Sequence, residues 1–215
     1  MTNVRTTTLL QQAMSEEFTW RKKELHNIKS LVRDNEKTHL KDMCVRAAVT
    51  MLYAHWEGFV KKIGAYYLEF VVQQKMKNRE LPPHFLALSV SNIVKKATKS
   101  SKVQPCLDII EFFRTAMESR GQFDANTGVD TGDNLKSKVL EEIVKTLGLD
   151  YSQFATKEKL LDEKLVHNRN EIAHGKDSVI AVDEYLVLHG EIFGMMQVFY
   201  NQIDNSVITK SYRVP

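Results

Sequence analysis

The chain has two cysteines and four prolines in 215 residues. Cys44 and Cys106 are too few and too far apart for a disulfide framework or a cysteine-rich zinc site. Both sit in apolar helical surroundings, where a buried thiol is expected. The scarcity of proline, with only nine glycines, argues against long disordered or collagen-like segments. No long hydrophobic run is present: the most apolar stretch, 47–72, is interrupted by His55, Glu57, Lys61, Lys62 and Glu69, which excludes a membrane span. Residues 1–10 lack a basic segment followed by an apolar one, so no secretory signal is read there and a cytoplasmic location is expected. Charge of one sign is also scarce. A net charge of +3 permits contact with nucleic acid without arguing for it.

What is there is helical periodicity, with no alternating strand pattern. A long polar helix is expected over 9–35, with Leu10, Met14, Phe18, Leu25, Ile28 and Val32 as its apolar stripe. A more apolar helix follows over about 38–76, carrying Val45, Val49, Leu52, Trp56, Phe59, Ile63, Tyr67 and Phe70 in steps of three and four. Apolar residues on its other faces suit the central helix of a bundle. Leu81-Pro82-Pro83 breaks the chain. Helices over 84–98 and 105–119 come next, then a glycine- and aspartate-rich surface loop over 121–134. A short helix over 135–147 is closed by Gly148, another begins at Thr156 and ends at Gly175, and an apolar one spans 179–203. The expectation is one all-α domain over 1–215, a bundle of long antiparallel helices with its core over about 38–203, an added helix over 1–37 and a short tail over 204–215. Trp20, Trp56, Phe112, Phe113 and Phe199 fall on apolar stripes and are expected in the core.

The chemistry gathers in His167-Asn168-Arg169-Asn170-Glu171-Ile172-Ala173-His174-Gly175, on the last turns of a helix. Arginine, amide and histidine together can hold a phosphate and move a proton without a metal, which makes RNA cleavage the leading hypothesis. The arginine-to-histidine gap alone is weak, for it recurs at Arg21 and His26 and at Arg79 and His84, and with one more residue at Arg33 and His39. Arg21 to His26 reads as a solvated face and Arg79 to His84 spans the proline break. The fourth copy differs in context. Asn170 and His174 share a helix face, Arg169 points ~140° away from His174, and Gly175 leaves the histidine on an exposed last turn. The plain alternative is a positive helix terminus favoured by the helix dipole.

Further residues need a reading. Glu57 and Lys61, four apart with the acid first, suit a helical salt bridge; alternatively Glu57 reaches the signature and anchors Arg169. His55 beside it reads as packing. His167, seven residues before His174, lies on its face and is a candidate to line the same cleft. Lys95, Lys96 and Lys99, with Lys102, form the tightest basic cluster, and Arg21-Lys22-Lys23 another; each is a solvated face or a track for an RNA backbone. No glycine-rich phosphate loop, zinc-type histidine pair or nucleophilic serine motif is present, so no cofactor and no metal are expected.

The segment Asn168 to Gly175 resembles the signature of the HEPN superfamily, an arginine followed four to six positions later by a histidine near a helix end. Tyr53-Ala54-His55-Trp56-Glu57-Gly58-Phe59 and the stretch from Asn134 to Leu149 resemble the MAE-type subfamily, so the likeness covers about 38–203. The resemblance implies an all-α bundle that pairs into a homodimer, with two signatures in one composite cleft. It implies a metal-independent endoribonuclease of prokaryotic defence or toxin–antitoxin systems, with RNA as substrate and an antitoxin or defence component as possible partner. Arg169 and His174 would be its catalytic pair and Asn170 a supporting residue. The alternative it leaves open is a non-catalytic module that binds a nucleotide, RNA or a partner protein.

Overall fold

The computed structural model describes residues 4–99 and 101–214. Three long helices carry the fold: α1 (Thr7–Asp34), α2 (Lys41–Gln73) and α8 (Val182–Thr209). Each packs against the other two. The Thr6 hydroxyl caps α1 by accepting from the Leu9 backbone N–H at 3.2 Å. The α1 stripe turns inward as expected, with Leu10, Met14, Leu25, Ile28 and Val32 buried. α2 buries Val45, Val49, Leu52, Trp56, Phe59, Ile63, Tyr67 and Phe70 as expected, but it is not enclosed on all sides: Met43, Ala47, Ala54 and Lys61 leave one face exposed. The three helices lock where Phe18 of α1 meets Phe59 of α2 at 5.6 Å and Phe193 of α8 at 5.5 Å between ring centres.

The shorter elements complete the bundle. α3 (Pro83–Thr98) and α4 (Gln104–Thr115) lie side by side, α5 (Ser137–Thr146) follows the loop, and α6 (Ser152–Ala155) is a single turn. A π-helical stretch, Leu160–Val166, then runs straight into α7 (His167–Ala173). Among the described residues there is no strand, only an isolated bridge between Lys77 and Arg120. No helix among them is long and apolar enough to cross a membrane.

Several expectations need correction. One buried cluster runs from Val4 to Tyr212, so α1 is part of the core rather than an addition to it. α8 continues to Thr209, and the segment beyond it folds back: Tyr212 packs edge-on against Phe70 at 5.3 Å and the Val214 N–H donates to the Glu80 carbonyl at 3.0 Å. α4 has no buried residue, because α3 and the turn after it are its main neighbours; Cys106 and Phe113 are exposed, not core. Trp20 is 45% exposed as well. Arg21 is not solvated: it is buried, held by Glu17 at 2.6 Å and 2.8 Å, and donates to the His55 carbonyl at 3.1 Å.

The loop over 121–134 is pinned down rather than free. Val129 and Thr131 are buried, and Thr127–Val129 forms a 3-10 turn against α2. Glycines make this approach possible: a Cβ on Gly64 of α2 would lie 2.5 Å from Val129 Cγ1, and one on Gly128 would lie 2.6 Å from Leu68. Val129 is β-branched and cannot swing aside. Gly64→Leu is therefore expected to cost about 1–3 kcal/mol by overpacking, read as a lower urea midpoint; an unchanged midpoint would show that the loop does not rest on α2.

Three histidines are buried or half-buried with depressed pKa values. Burial lowers His55 first, Arg21 adds to it, and Glu24 opposes. Burial alone lowers His84, and burial with Lys29, His26 and Arg33 lowers His189. The contacts of His55 fit a neutral ring, with Nδ1 facing Arg21 at 3.4 Å as acceptor and Nε2–H donating to Glu24 at 3.0 Å. Each ring titrates lower in the folded chain than unfolded, so the unfolded chain binds more protons in acid. Stability is expected to be full above pH ~6.5 and to fall as pH drops through and below it. Urea midpoints at neutral and mildly acidic pH check this, and a flat profile would contradict it.

Candidate functional site

The signature is delivered by an irregular helix. Over Leu160–Val166 the backbone widens, and the His167 N–H donates to the Asp162 carbonyl five residues back. A π turn holds one residue more than an α turn, so everything after it is rotated by ~100° relative to a regular continuation. Leu161, Leu165 and Val166 are buried, whereas α7 has no buried residue. The stretch is anchored by Asp162, which accepts from the Ser137 backbone N–H at 2.7 Å and hydroxyl at 2.6 Å at the start of α5.

Arg169 is half-buried in a seat made of neutral groups. Its guanidinium carbon stands 4.5 Å from the centre of the Tyr53 ring on α2. Its Nη1 donates to Asn134 Oδ1 at 2.9 Å and to Asn170 Oδ1 at 2.7 Å. Among the described residues it forms no ion pair, so its charge stays un-neutralised. Tyr53 is itself fixed, for its hydroxyl accepts from the Leu135 N–H at 2.9 Å. Burial and neighbouring Glu57 raise the pKa of this phenol, against the pull of Leu135 and Arg169, so the ring under the arginine is uncharged.

Glu57 follows neither expected reading. It forms no salt bridge with Lys61 and none with Arg169; it accepts from the buried Thr131 hydroxyl at 2.6 Å. That contact ties the loop to α2 three residues before Asn134, and so supports the arginine's seat indirectly. Lys61 points elsewhere, into a 470 Å³ hollow shared with Lys95, Asp124 and Asp130. Lys96 and Lys99 are exposed at the end of α3. None of the four lysines touches the signature residues.

His174 caps α7 as expected. Gly175 takes a φ of +73°, which glycine adopts without strain, and its N–H donates to the Ile172 carbonyl at 3.0 Å. The Lys176 N–H donates to the Glu171 carbonyl at 3.0 Å, completing a Schellman closure. This leaves the His174 ring exposed, with no hydrogen bond to it among the described residues. Asn170 connects the two key residues: its side chain accepts from Arg169 and its carbonyl accepts from the His174 N–H at 2.9 Å. His167 is exposed one turn before Glu171, whose carboxyl is held low by Lys176 at 2.9 Å and, more weakly, by His167 and His174. Those three residues thus share a face.

Tyr53, Thr131 and Asn134 were not singled out from sequence as site residues. Tyr53 and Asn134 lie in stretches that carry the family likeness, and Tyr53 stands one turn from Glu57, but no periodicity tells which ring lies under an arginine over a hundred residues away. Beside Asn134 the loop leaves a 490 Å³ hollow lined by Asp130, Thr131, Asp133 and Lys136. Among the described residues no group of three or more His, Cys, Asp or Glu side chains is arranged to hold a metal ion.

Comparison with known proteins identifies the family. The family model described as RiboL-PSP-HEPN matches residues 16–205, from the middle of α1 to near the end of α8. Neither a curated protein nor a solved structure matches the chain. With that match covering all three long helices and the signature between them, the chain belongs to the RiboL-PSP-HEPN family.

Proposed function

We propose that this protein is a metal-independent endoribonuclease whose active residues are Arg169 and His174, with Asn170 in support. HEPN membership points to a ribonuclease or a nucleotide-binding module. The observation that favours cleavage is Arg169 held by an aromatic face and two amides, with no ion pair among the described residues, on the helix that ends in an exposed histidine. A structural arginine in a half-buried place would ordinarily be paired.

The ribose 2′-hydroxyl attacks the adjacent phosphorus, the bond to the 5′-oxygen breaks, and the products are a 2′,3′-cyclic phosphate and a 5′-hydroxyl. DNA has no 2′-hydroxyl and is spared. His174 takes the proton from the attacking hydroxyl or gives one to the leaving oxygen. Arg169 offers its free guanidinium donors to the phosphorane oxygens as charge builds on them. Asn170 keeps the arginine in register with the helix end. One histidine cannot do both proton transfers at once; a homodimer pairing two signatures supplies the second. The same reading makes the protein a toxin or defence nuclease, restrained by a partner until needed.

Purified wild type is expected to cleave RNA in EDTA and leave cyclic phosphate ends, with Arg169→Ala and His174→Ala each slower by about 10²-fold or more. Equal cleavage by both variants would remove the assignment, and intact RNA in all three would favour the binding-only module. Expression should arrest growth, and His174→Ala should relieve it.

The seat of Arg169 has its own test. Tyr53→Phe keeps the aromatic face and is expected to retain most activity, whereas Tyr53→Leu loses a cation–π contact worth about 0.5–2 kcal/mol and should lower kcat by about tenfold. If Leu and Phe at this position behave alike, the ring does not position the arginine.

A further inference from the structure

The face that α1 turns towards the start of α8 carries a charge pattern the signature does not use. Lys22, His26, Lys29 and Arg33 follow one another in steps of four, three and four. At ~100° and ~1.5 Å per residue they lie within a stripe ~60° wide, with neighbouring cations spaced by ~4.5–6 Å along the axis. Lys23 flanks the stripe. A 620 Å³ groove opens between the helices here, with Lys22, Lys23, His26 and Lys29 along one side, Leu25 and Phe193 as its floor and His189 at its back. Among the described residues no acidic one lines it.

The segregation of charge on α1 is built in. Of its four acids, Glu17 and Glu24 face the other way, engaged with Arg21 and His55, and Glu16 accepts from Gln12. Among the described residues none of Lys22, Lys23, His26, Lys29 and Arg33 forms a salt bridge. His189 is held in place by Nε2, which lies 3.1 Å from the Leu25 carbonyl as donor, and its Nδ1 is buried without a partner. Burial keeps that ring's pKa low, and Lys29, His26 and Arg33 push it in the same direction, so their fields converge on the groove. A row of unpaired lysines on flexible stems suits charges repeated along a chain better than one planar carboxylate, for which forked arginines are the match. The floor is apolar and half-exposed aromatic at Phe193, which suits bases as the lysines suit phosphates.

We infer that the groove between α1 and α8 is an exosite for single-stranded RNA, distinct from the Arg169–His174 site, with the phosphates running along Lys22, His26, Lys29 and Arg33. Its charge and shape stand independently of the nuclease reading; the choice of RNA as the polyanion rests on that reading.

Binding is measured by fluorescence anisotropy with a short labelled single-stranded RNA and the His174→Ala protein, across a salt series. Replacing Lys22, Lys23 and Lys29 together by Gln is expected to weaken binding about tenfold and to reduce the salt slope by about 2, from ~0.7 per lost phosphate contact. The matched triple change of Lys95, Lys96 and Lys99 to Gln leaves both nearly unchanged. Parent-like binding by the first variant, or equal loss in the second, overturns the exosite. Polyglutamate that binds more tightly than the RNA overturns it in favour of an acidic protein partner. Circular dichroism of each variant excludes unfolding as the cause. The outcome does not depend on turnover: loss of binding in the groove variant with no cleavage by wild type sinks the nuclease and leaves the exosite. Cleavage with groove-independent binding does the reverse.

Discussion

The seat of Arg169 rests on Tyr53, a fully buried residue on the face that α2 turns into the core. The apolar side of this 33-residue helix has to be covered, and α1, α8, α7 and the loop after α4 each cover part of it. Tyr53 and Glu57, one turn apart on this fixed rod, then serve two different neighbours. The first carries the arginine from a helix much later in the chain, and the second holds Thr131 and with it the loop that brings Asn134 to the same arginine. The site is therefore assembled from three segments distant in sequence, and the rigidity of each comes from the core rather than from local propensity.

Charge is handled in two opposite ways. Around Arg21 the positive charge is buried and matched: Glu17 pairs with it and Glu24 takes the neighbouring His55. Around Arg169 and along the Lys22–Arg33 stripe it forms no ion pair among the described residues. A guanidinium held by an aromatic face and amide oxygens keeps its full charge while losing its freedom, which is what a group awaiting an anion needs. The contrast between the two arginines, only one of which lies in the signature, is what the roles proposed for them rest on, structural for Arg21 and functional for Arg169.

The irregular turn before the signature has a comparable logic. In a regular helix the apolar face of Leu161 and Leu165 would continue four residues on to Arg169 and turn the arginine towards the core. The π stretch inserts a rotation at the boundary between buried and polar residues. Its anchor, Asp162 at the start of α5, fixes the same α5 whose preceding loop holds Asn134. Helix widening and the arginine's seat are thus parts of one connected arrangement.

The order of helices, the central place of α2, the breaks at Leu81-Pro82-Pro83 and the closures at Gly148 and Gly175 were all legible in the sequence. So were the signature and its exposed histidine. These features depend on periodicity, proline and left-handed glycine, which act over a few residues and therefore leave a local mark. The exposure of Cys106, Phe113 and Trp20 was not legible, because an apolar stripe shows that a face can be buried but not whether another element arrives to cover it. The burial of Arg21, the anchoring of the loop through Gly64 and Gly128, and the partner of Glu57 were decided only in three dimensions. So was the union of Tyr53, Asn134 and Arg169, since cation–π and amide contacts across 35 to over 100 residues have no period for a sequence to display.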